Sequence, residues 1–587
     1  MVTYADKPWL KHYDEGVPHT LGGAPDRPLF SYLQDTAKKM PNRAALVTSV
    51  RLPMVGHQKH VVTYRELDEL SDTFASALVG IGLQKGQTVC LLMPNISAFI
   101  IAYYGILKAG GVVAAVNPSY PTSKIQYQVS DCDAVMLATI TALYDTFKSI
   151  QPQTNVKAVI ATNIKEYLAP LARAAFSATQ EEKGGHALKD VEEGDYWLQD
   201  LLKQYKGQKP NVDVQPDDLA FLQYTGGTTG LPKGAMATHR MMSFSTEQIA
   251  AWTNVRYEQV YDKHTKREEF TSVVALPMFH VFGLVVVLNQ SIVCGWQILL
   301  VPDARDTNNL VDLLATYKPE VLCAVPLLWQ SLVTHPRFKS GEVNFNFVRI
   351  GISAASPLHP QVHADVTQAG VKNLVDAYGL SEVPIGNHAN TILKPAVVPS
   401  VGLPLPDVEV RIVDIETGTR LMPVGEVGEL ILHTPNVMLG YYNKPEESAL
   451  VLREFEGKTW LYTGDVGKMD EEGYFYLVDR KKDMAIIGGF NVYPSVVERV
   501  LKMHPAVADA GIWHVPHPKA VGEEALQGWV VLKEGQSVKS GDLVNFCRPY
   551  LAAYEIPRKY VFVDALPYSD AGKLLRRELP TLTGLEA

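Results

Sequence analysis

The sequence predicts an α/β protein built on parallel sheets, and three observations carry that expectation. Thr88 to Met93 reads as a strand, Ile96 to Lys108 as a helix stopped by Gly110-Gly111, and Val112 to Val116 as a second strand. A β-α-β unit of this kind runs its two strands parallel. Strand-like apolar runs return at Ala158-Val159-Ile160-Ala161 and Val321-Leu322-Cys323-Ala324-Val325, with helix-like stretches between them. The 587 residues, 47% hydrophobic and 20% charged, have ordinary globular composition, with room for roughly three or four domain-sized units. Ligands of such sheets belong at strand ends.

Taken in chain order, the N-terminal MVTYADKPWLKHYDEG carries charge throughout and has no apolar core, so it does not read as a secretory signal. Thr63-Tyr64-Arg65-Glu66 is a capping box, and Leu67, Leu70, Phe74, Leu78 and Ile81 follow at helical spacing, which predicts a helix with one buried face. Gln180 to Asp218 is rich in charge and glycine and reads as a solvated surface excursion. Val281 to Val301 is apolar enough to suggest a membrane span. Asn289, Gln290, Ser291, Gly295 and Gln297 interrupt it, however, and a buried helix ending near Gly295 followed by a strand fits better. Asp479-Arg480-Lys481-Lys482-Asp483, between two apolar runs, is a boundary candidate that by itself reads as a solvated turn.

Charge and cysteine usage narrow the function classes. A net charge of −9 without a basic run argues against binding nucleic acid through its phosphates. The five cysteines are scattered, odd in number and free of any C-x-x-C, which suits reduced thiols in a cytoplasmic protein and indicates neither a disulfide framework nor a zinc site.

The chemistry concentrates in YTGGTTGLPKGAMATHR, residues 224 to 240, with four glycines, four threonines and Lys233 after the apolar run Leu219 to Leu222. Glycines let backbone N–H groups approach a ligand, hydroxyls add donors and the lysine adds charge, a composition suited to a polyphosphate. Pro232 before Lys233 and Gly234 after it exclude the G-x-x-x-x-G-K-[ST] loop. Further motifs follow in order: Ala377-Tyr378-Gly379-Leu380-Ser381-Glu382, Tyr462-Thr463-Gly464-Asp465, Asp479 to Asp483, Gly488-Gly489-Phe490-Asn491-Val492-Tyr493-Pro494, and Gly572-Lys573-Leu574-Leu575-Arg576-Arg577.

With these six motifs the sequence, from about Thr63 to its C-terminus, resembles the AMP-forming adenylating enzymes, which include the acyl-CoA synthetases. Within them it is most similar to bacterial long-chain fatty-acyl-CoA ligases, through DRKKDM and GGFNVYP. The resemblance implies a large adenylating domain over residues 1–479 with parallel-sheet subdomains, a hinge at 480–482, and a small mobile α+β domain over 483–587. It implies activation of a carboxylic acid by ATP and Mg²⁺ to acyl-AMP and pyrophosphate, then transfer to coenzyme A.

Residue roles follow from the same resemblance. Thr225, Gly226, Gly227, Thr228, Thr229 and Gly230 would cradle the β- and γ-phosphates, with Lys233 offsetting charge on the departing pyrophosphate. Glu382, helped by Thr225, would coordinate Mg²⁺. Ala354, Ala355 and Ser356 would border base and acyl group, and Ala377, Tyr378, Gly379, Leu380 and Ser381 would lie along the adenine. Asp465 fits the ribose, Arg480 the ribose or phosphate. Lys573, carried by the mobile domain, would bind charge developing on the α-phosphate. Lys482 holds the hinge position, and Gly488 and Gly489 would leave room for the pantetheine arm. Ile486 stands where many relatives carry a lysine.

His280 matches the aromatic position beside the substrate carboxylate. The segment Pro277-Met278-Phe279-His280 lacks the aspartate with which amino-acid adenylating domains hold an amine. Val281, Phe282, Gly283, Leu284, Val325, Val383 and Pro384 are then expected to line an apolar pocket for a fatty or aromatic acid. A ligase that loads a carrier protein, a luciferase-like oxygenase and a non-catalytic lipid-binding protein stay open beside the CoA ligase, as do peripheral membrane contact and a homodimer.

Overall fold

The β-branched and aliphatic runs of the first half assemble into two largely parallel sheets, as the β-α-β pattern demands. The computed structural model describes residues 2–225, 231–254, 270–487, 490–516, 524–569, 572–582 and 585–586. Among them the first sheet orders its strands Tyr196–Trp197, Ala158–Thr162, Met136–Ile140, Thr88–Leu92, Val112–Ala115, Leu219–Tyr224 and Gly234–Thr238. Thr88–Leu92 is buried along its whole length, as a central parallel strand covered on both faces should be. The helix Ser97–Lys108 makes the crossover to Val112–Ala115, with Val89 beside Val113 and Leu91 beside Ala115. All strands of this sheet run parallel except the last, which folds back as a hairpin on Leu219–Tyr224.

The second sheet has nine strands, in the order Leu403–Pro404, Ile385–Ala389, Leu374–Leu380, Ile350–Ser353, Val321–Ala324, Thr271–Val274, Gln297–Leu300, Ala44–Leu52 and Gly56–Thr63. Its middle is parallel and both its edges are antiparallel. Asn95, just past the end of Thr88–Leu92, ties the two sheets together. Its side-chain amide donates to the Val274 and Leu276 carbonyls at 3.2 and 2.9 Å, and its oxygen accepts from the Met278 N–H at 3.0 Å. The ends of strands from both sheets thereby face one cleft.

An antiparallel sheet of Glu409–Val413, Gly428–His433, Lys458–Met469, Leu452–Phe455 and Phe475–Arg480 follows. After Arg480 the chain enters a separate α+β unit. Its hairpin Ala485–Ile487 and Phe490–Val492 is followed by a sheet of Val507–Pro516, Glu524–Leu532, Lys559–Phe562 and Leu585–Glu586. The helices Pro494–Lys502 and Ser540–Cys547 close a core around Leu501, Ile512, Val530 and Tyr560.

Local expectations meet the structure in different ways. The capping box forms as read: Thr63 Oγ1 accepts from the Glu66 N–H at 3.3 Å, Glu66 Oε2 accepts from the Thr63 N–H at 2.8 Å, and the helix runs Tyr64–Gly80. The apolar segment is a buried helix, π-helical over Phe282–Asn289 and α-helical over Gln290–Cys294, ended by Gly295 at φ 67°. No described helix is long and apolar enough to cross a membrane. All five cysteines are free and buried.

Two readings need correction. The stretch 180–218 is not merely a solvated excursion. Tyr196–Trp197 pairs parallel with Ala158–Thr162, and Leu198–Gln204 is a helix that buries Leu198 and Leu201. Asp195 accepts from the Val159 N–H at 2.8 Å and from Tyr144 Oη at 2.6 Å, so its charge is spent on docking the segment. The run 479–483 is solvated only in part: residues 481–483 do form a turn with Lys482 exposed, but the side chains of Asp479 and Asp483 pack against Arg576.

Candidate active site

The strand Leu219–Tyr224 delivers Thr225 to the cleft, and the return strand begins at Gly234 directly opposite Tyr224. The neck of the loop is closed by two bonds: the Thr225 N–H donates to the Lys233 carbonyl at 2.9 Å, and the Lys233 N–H to Thr225 Oγ1 at 3.3 Å. Residues 226–230, the glycine-threonine tip expected at the phosphates, lie outside the described residues. Asp131 braces the neck from the side. It accepts from Tyr224 Oη at 2.9 Å and Tyr127 Oη at 3.2 Å and pairs with Lys444. Tyr127 Oη also reaches the Pro232 carbonyl at 3.1 Å. The loop expected to hold a polyphosphate is thus braced at its neck by one carboxylate.

Lys233 Nζ forms an ion pair with Glu447 and sits 5.0 Å from the centre of the Tyr441 ring. Tyr441 Oη in turn donates to Glu382 Oε1 at 2.7 Å. The expected metal carboxylate and the expected phosphate lysine are therefore joined through one tyrosine. Tyr441, Glu447 and Asp131 carry no sequence signal of their own: Gly440-Tyr441-Tyr442 reads as a turn, and only the tertiary fold brings it to Glu382.

Tyr378 Oη donates to Asp465 Oδ2 at 2.6 Å, and Arg480 Nε lies 3.0 Å from Asp465 Oδ1. Burial, reinforced by the Asp465 charge, holds the Tyr378 hydroxyl well above its usual range, so it stays a donor. Ala355 has φ 77°, a left-handed conformation that a residue with a Cβ rarely adopts. Strain of about 1–3 kcal/mol in such a turn persists where the surroundings impose it, as at ligand sites.

Lys573 enters from the C-terminal unit. Its N–H donates to Ser569 Oγ at 3.1 Å and its carbonyl accepts from the Ser569 N–H at 2.8 Å, a tight loop that presents the side chain. Burial pushes the ammonium down to about 8. Arg480 adds to that effect, Asp465 and Glu382 oppose it, and Lys482 pushes down again. His280 caps its segment through its N–H to the Pro277 carbonyl at 3.1 Å and packs on Phe279.

One cavity of about 1510 Å³ gathers these groups. Typical small-molecule pockets measure about 300–1,000 Å³, so this one has room for a nucleotide and a second substrate together. Thr225, Lys233, His280, Ala354, Ala355, Ala377, Tyr378, Gly379, Leu380, Ser381, Glu382, Arg480, Lys482 and Lys573 all line it. Ser356 and Asp465 do not line it, and Asp465 lies behind Tyr378 and Arg480. Gly488 and Gly489 fall outside the described residues.

The apolar wall differs from the expectation. Val281, Phe282, Gly283 and Val325 line the cavity, whereas Leu284, Val383 and Pro384 do not. Leu284 and Val383 have no exposed surface and belong to the core. Their places are taken by Ile249, Trp252, Val286, Ile352, Val375 and Leu405, from elements scattered over the sequence.

Fold and cavity together define an enzyme of two units, in which a charged nucleotide end and an apolar end share one chamber. The comparisons give that class its family. The profile of the AMP-binding enzymes matches residues 33–442, and that of the AMP-binding enzyme C-terminal domain matches residues 496–573, so the chain belongs to the AMP-binding enzyme family. It is 35% identical over 580 residues to a long-chain-fatty-acid–CoA ligase of Bacillus subtilis, covering 98% of both chains. It is 28% identical over 561 residues to 4-coumarate–CoA ligase 2 of Nicotiana tabacum, covering 94% of both. Among solved structures it resembles ATP-bound MatB from Rhodopseudomonas palustris, with TM-score 0.79 and 26% identity over 94% of this chain and 98% of that one.

The donor set suits a phosphate-borne metal ion. Among the described residues no group of three or more His, Cys, Asp or Glu side chains could hold a metal by itself. Glu382 with Thr225 fits Mg²⁺, which takes one or two protein oxygens and completes its shell with phosphates and water.

Proposed function

We propose that this protein joins a long-chain fatty acid to coenzyme A, with cleavage of ATP to AMP and pyrophosphate. The observation that carries the reading is the single chamber, in which an apolar wall meets Lys233, Glu382, Arg480 and Lys573. In the first step a carboxylate oxygen attacks the α-phosphorus and pyrophosphate leaves. In the second the coenzyme A thiol, losing its proton, attacks the acyl carbonyl, and AMP leaves with the electrons of the broken C–O bond.

Mg²⁺ held by Glu382 and Thr225 would neutralise charge on the phosphates. Lys233 would exchange Glu447 for the leaving pyrophosphate. Asp465, oriented by Tyr378 and Arg480, would accept from ribose hydroxyls, and His280 would lie beside the carboxylate. Lys573 would place its ammonium on the α-phosphate oxygens, where charge grows in the transition state. Residues 483–587 would then turn about 480–482 and withdraw the lysine before thioester formation, an account supported by the change of sheet after Arg480 and by the separate match of residues 496–573.

The test is mass spectrometry of products formed from ATP, Mg²⁺, coenzyme A and a mixture of fatty and aromatic acids. Long-chain acyl-CoA together with AMP supports the proposal. Aromatic acyl-CoA alone would replace the acid class, and acyl-AMP without thioester would replace the acceptor with a carrier protein.

A further inference from the structure

The strand Phe475–Arg480 carries Asp479, whose side chain is only 3% exposed. Its Oδ2 accepts from the Ser495 N–H at 2.7 Å, and its Oδ1 lies 3.4 Å from Arg576 Nη1. Arg576 is held further by Glu498, which takes Nε and Nη2 at 2.8 Å each, and by Asp483 at 3.1 Å. Only Leu574 and Leu575 separate Arg576 from Lys573. The loop that presents the lysine is therefore tied at its far side to this cluster.

The members of the cluster divide unevenly about residues 480–482. Asp483, Ser495, Glu498 and Arg576 all follow that stretch, and Asp479 alone precedes it. A turn of the C-terminal unit carries Arg576, Glu498 and Asp483 together and breaks the bonds to Asp479 and the bond from the Ser495 hydroxyl to the neighbouring Val478 carbonyl. Neighbouring pairs do not share this property: Arg480 with Asp465 and Lys481 with Glu429 at 2.9 Å tie the hinge itself to the preceding sheet. We infer that Asp479 is a positioning residue that clasps the C-terminal unit, through Arg576 and the Ser495 amide, in the orientation that puts Lys573 into the chamber.

The charge balance makes the clasp releasable. Three carboxylates surround one guanidinium, so Asp479 is attracted by Arg576 and repelled by Glu498 and Asp483. Burial, with Glu498 adding to it, raises the Asp479 carboxyl above its ordinary range, while Arg576 and the Ser495 and Arg480 amides pull it back. A buried carboxylate with a private arginine would be costly to separate. One that leaves two competing carboxylates behind and regains water costs less, as a contact broken once per turnover requires.

The inference rests on the two-step reading above, and its test separates the two. In the full-length enzyme, Asp479→Asn keeps an acceptor for the Ser495 amide but loses the charge. Asp479→Ala loses both. Pyrophosphate release without coenzyme A should slow about tenfold in the Asn variant and more in Ala, with KM for ATP little changed. Thioester formation from supplied acyl-AMP should be unchanged or faster. All five native cysteines are buried, so dyes on Lys206→Cys and Glu534→Cys, one exposed position per unit, report the resting orientation. Energy transfer in Asp479→Asn should shift toward the value that wild type reaches with acyl-AMP and coenzyme A. Equal loss of both half-reactions with unchanged transfer, or no effect at all, overturns the clasp. If Lys573→Ala also slows both half-reactions equally, the two-orientation reading itself fails. If Lys573→Ala is selective and Asp479→Asn is not, only the clasp fails.

Discussion

A lysine beside two other cations is a poor place to keep a proton, and Lys573 shows the consequence. Burial and Arg480 bring its ammonium down to about 8, against an ordinary value near 10.4. The charged form, which the proposed contact with the α-phosphate needs, is present below that value and lost above it. The kcat/KM for adenylation should therefore fall as pH rises through about 8. Asp376, a carboxyl pushed up to about 8 by burial against the pull of the Ala377 and Leu358 amides, titrates in the same window. Lys573→Arg separates them, because a guanidinium stays charged. The alkaline limb should move up by more than one pH unit on a lower plateau, and a limb that stays in place would assign it elsewhere. The residue itself was legible from Gly572-Lys573-Leu574-Leu575-Arg576-Arg577. Its titration was not, since Arg480, Asp465 and Glu382 are nearly 100 to 200 positions away and meet it only in space.

At the scale of elements, the helix from Phe282 shows what periodicity can and cannot say. The apolar run with its polar interruptions predicted a buried helix stopped at Gly295, and the structure has it. Which side chains face the chamber was misread for Leu284, because every position from Val281 to Leu288 is apolar and that stretch offers no phase. Val383 and Pro384 failed for a related reason: they lie at a turn between antiparallel strands, where Val383 points into the core. Gly283 has a firmer logic. A Cβ there would collide with the Pro277 carbonyl oxygen and come within 2.8 Å of the Leu276 oxygen, both rigid backbone atoms at the end of the His280 segment. Gly283→Ala should destabilise by about 1–3 kcal/mol and lower the first thermal transition by about 5 °C, measured by calorimetry. It should also raise KM for the acid, since His280 shares the displaced turn; an unshifted transition would mean that the segment gives way.

The whole molecule decides whether the half-reactions share one arrangement. In the structure Gly572 packs near the start of the helix Pro326–Thr334, where a Cβ would lie 3.7 Å from Val325 and 3.9 Å from Leu327. That contact belongs to the orientation with Lys573 in the chamber. Adding coenzyme A to enzyme loaded with a non-reactive acyl-AMP analogue should therefore raise hydrogen exchange in residues 325–329 severalfold, read by mass spectrometry. Exchange that stays constant would argue for a fixed C-terminal unit.

The sequence by itself determined the α/β class, the β-α-β unit, the capped helix at Thr63 and the place of the loop whose neck Thr225 and Lys233 close. Each depends on residues close together in the chain, and the family resemblance supplied the order of the remaining motifs. Only the tertiary structure decided that Tyr441 joins Glu382 to Lys233, that Asp131 braces the neck of the loop, and that residues 180–218 extend the first sheet. It also chose the apolar wall, drawing Trp252, Val375 and Leu405 from three separate stretches of the chain. A cavity is the space left between packed elements, so its lining depends on how they dock, which no local pattern of residues encodes.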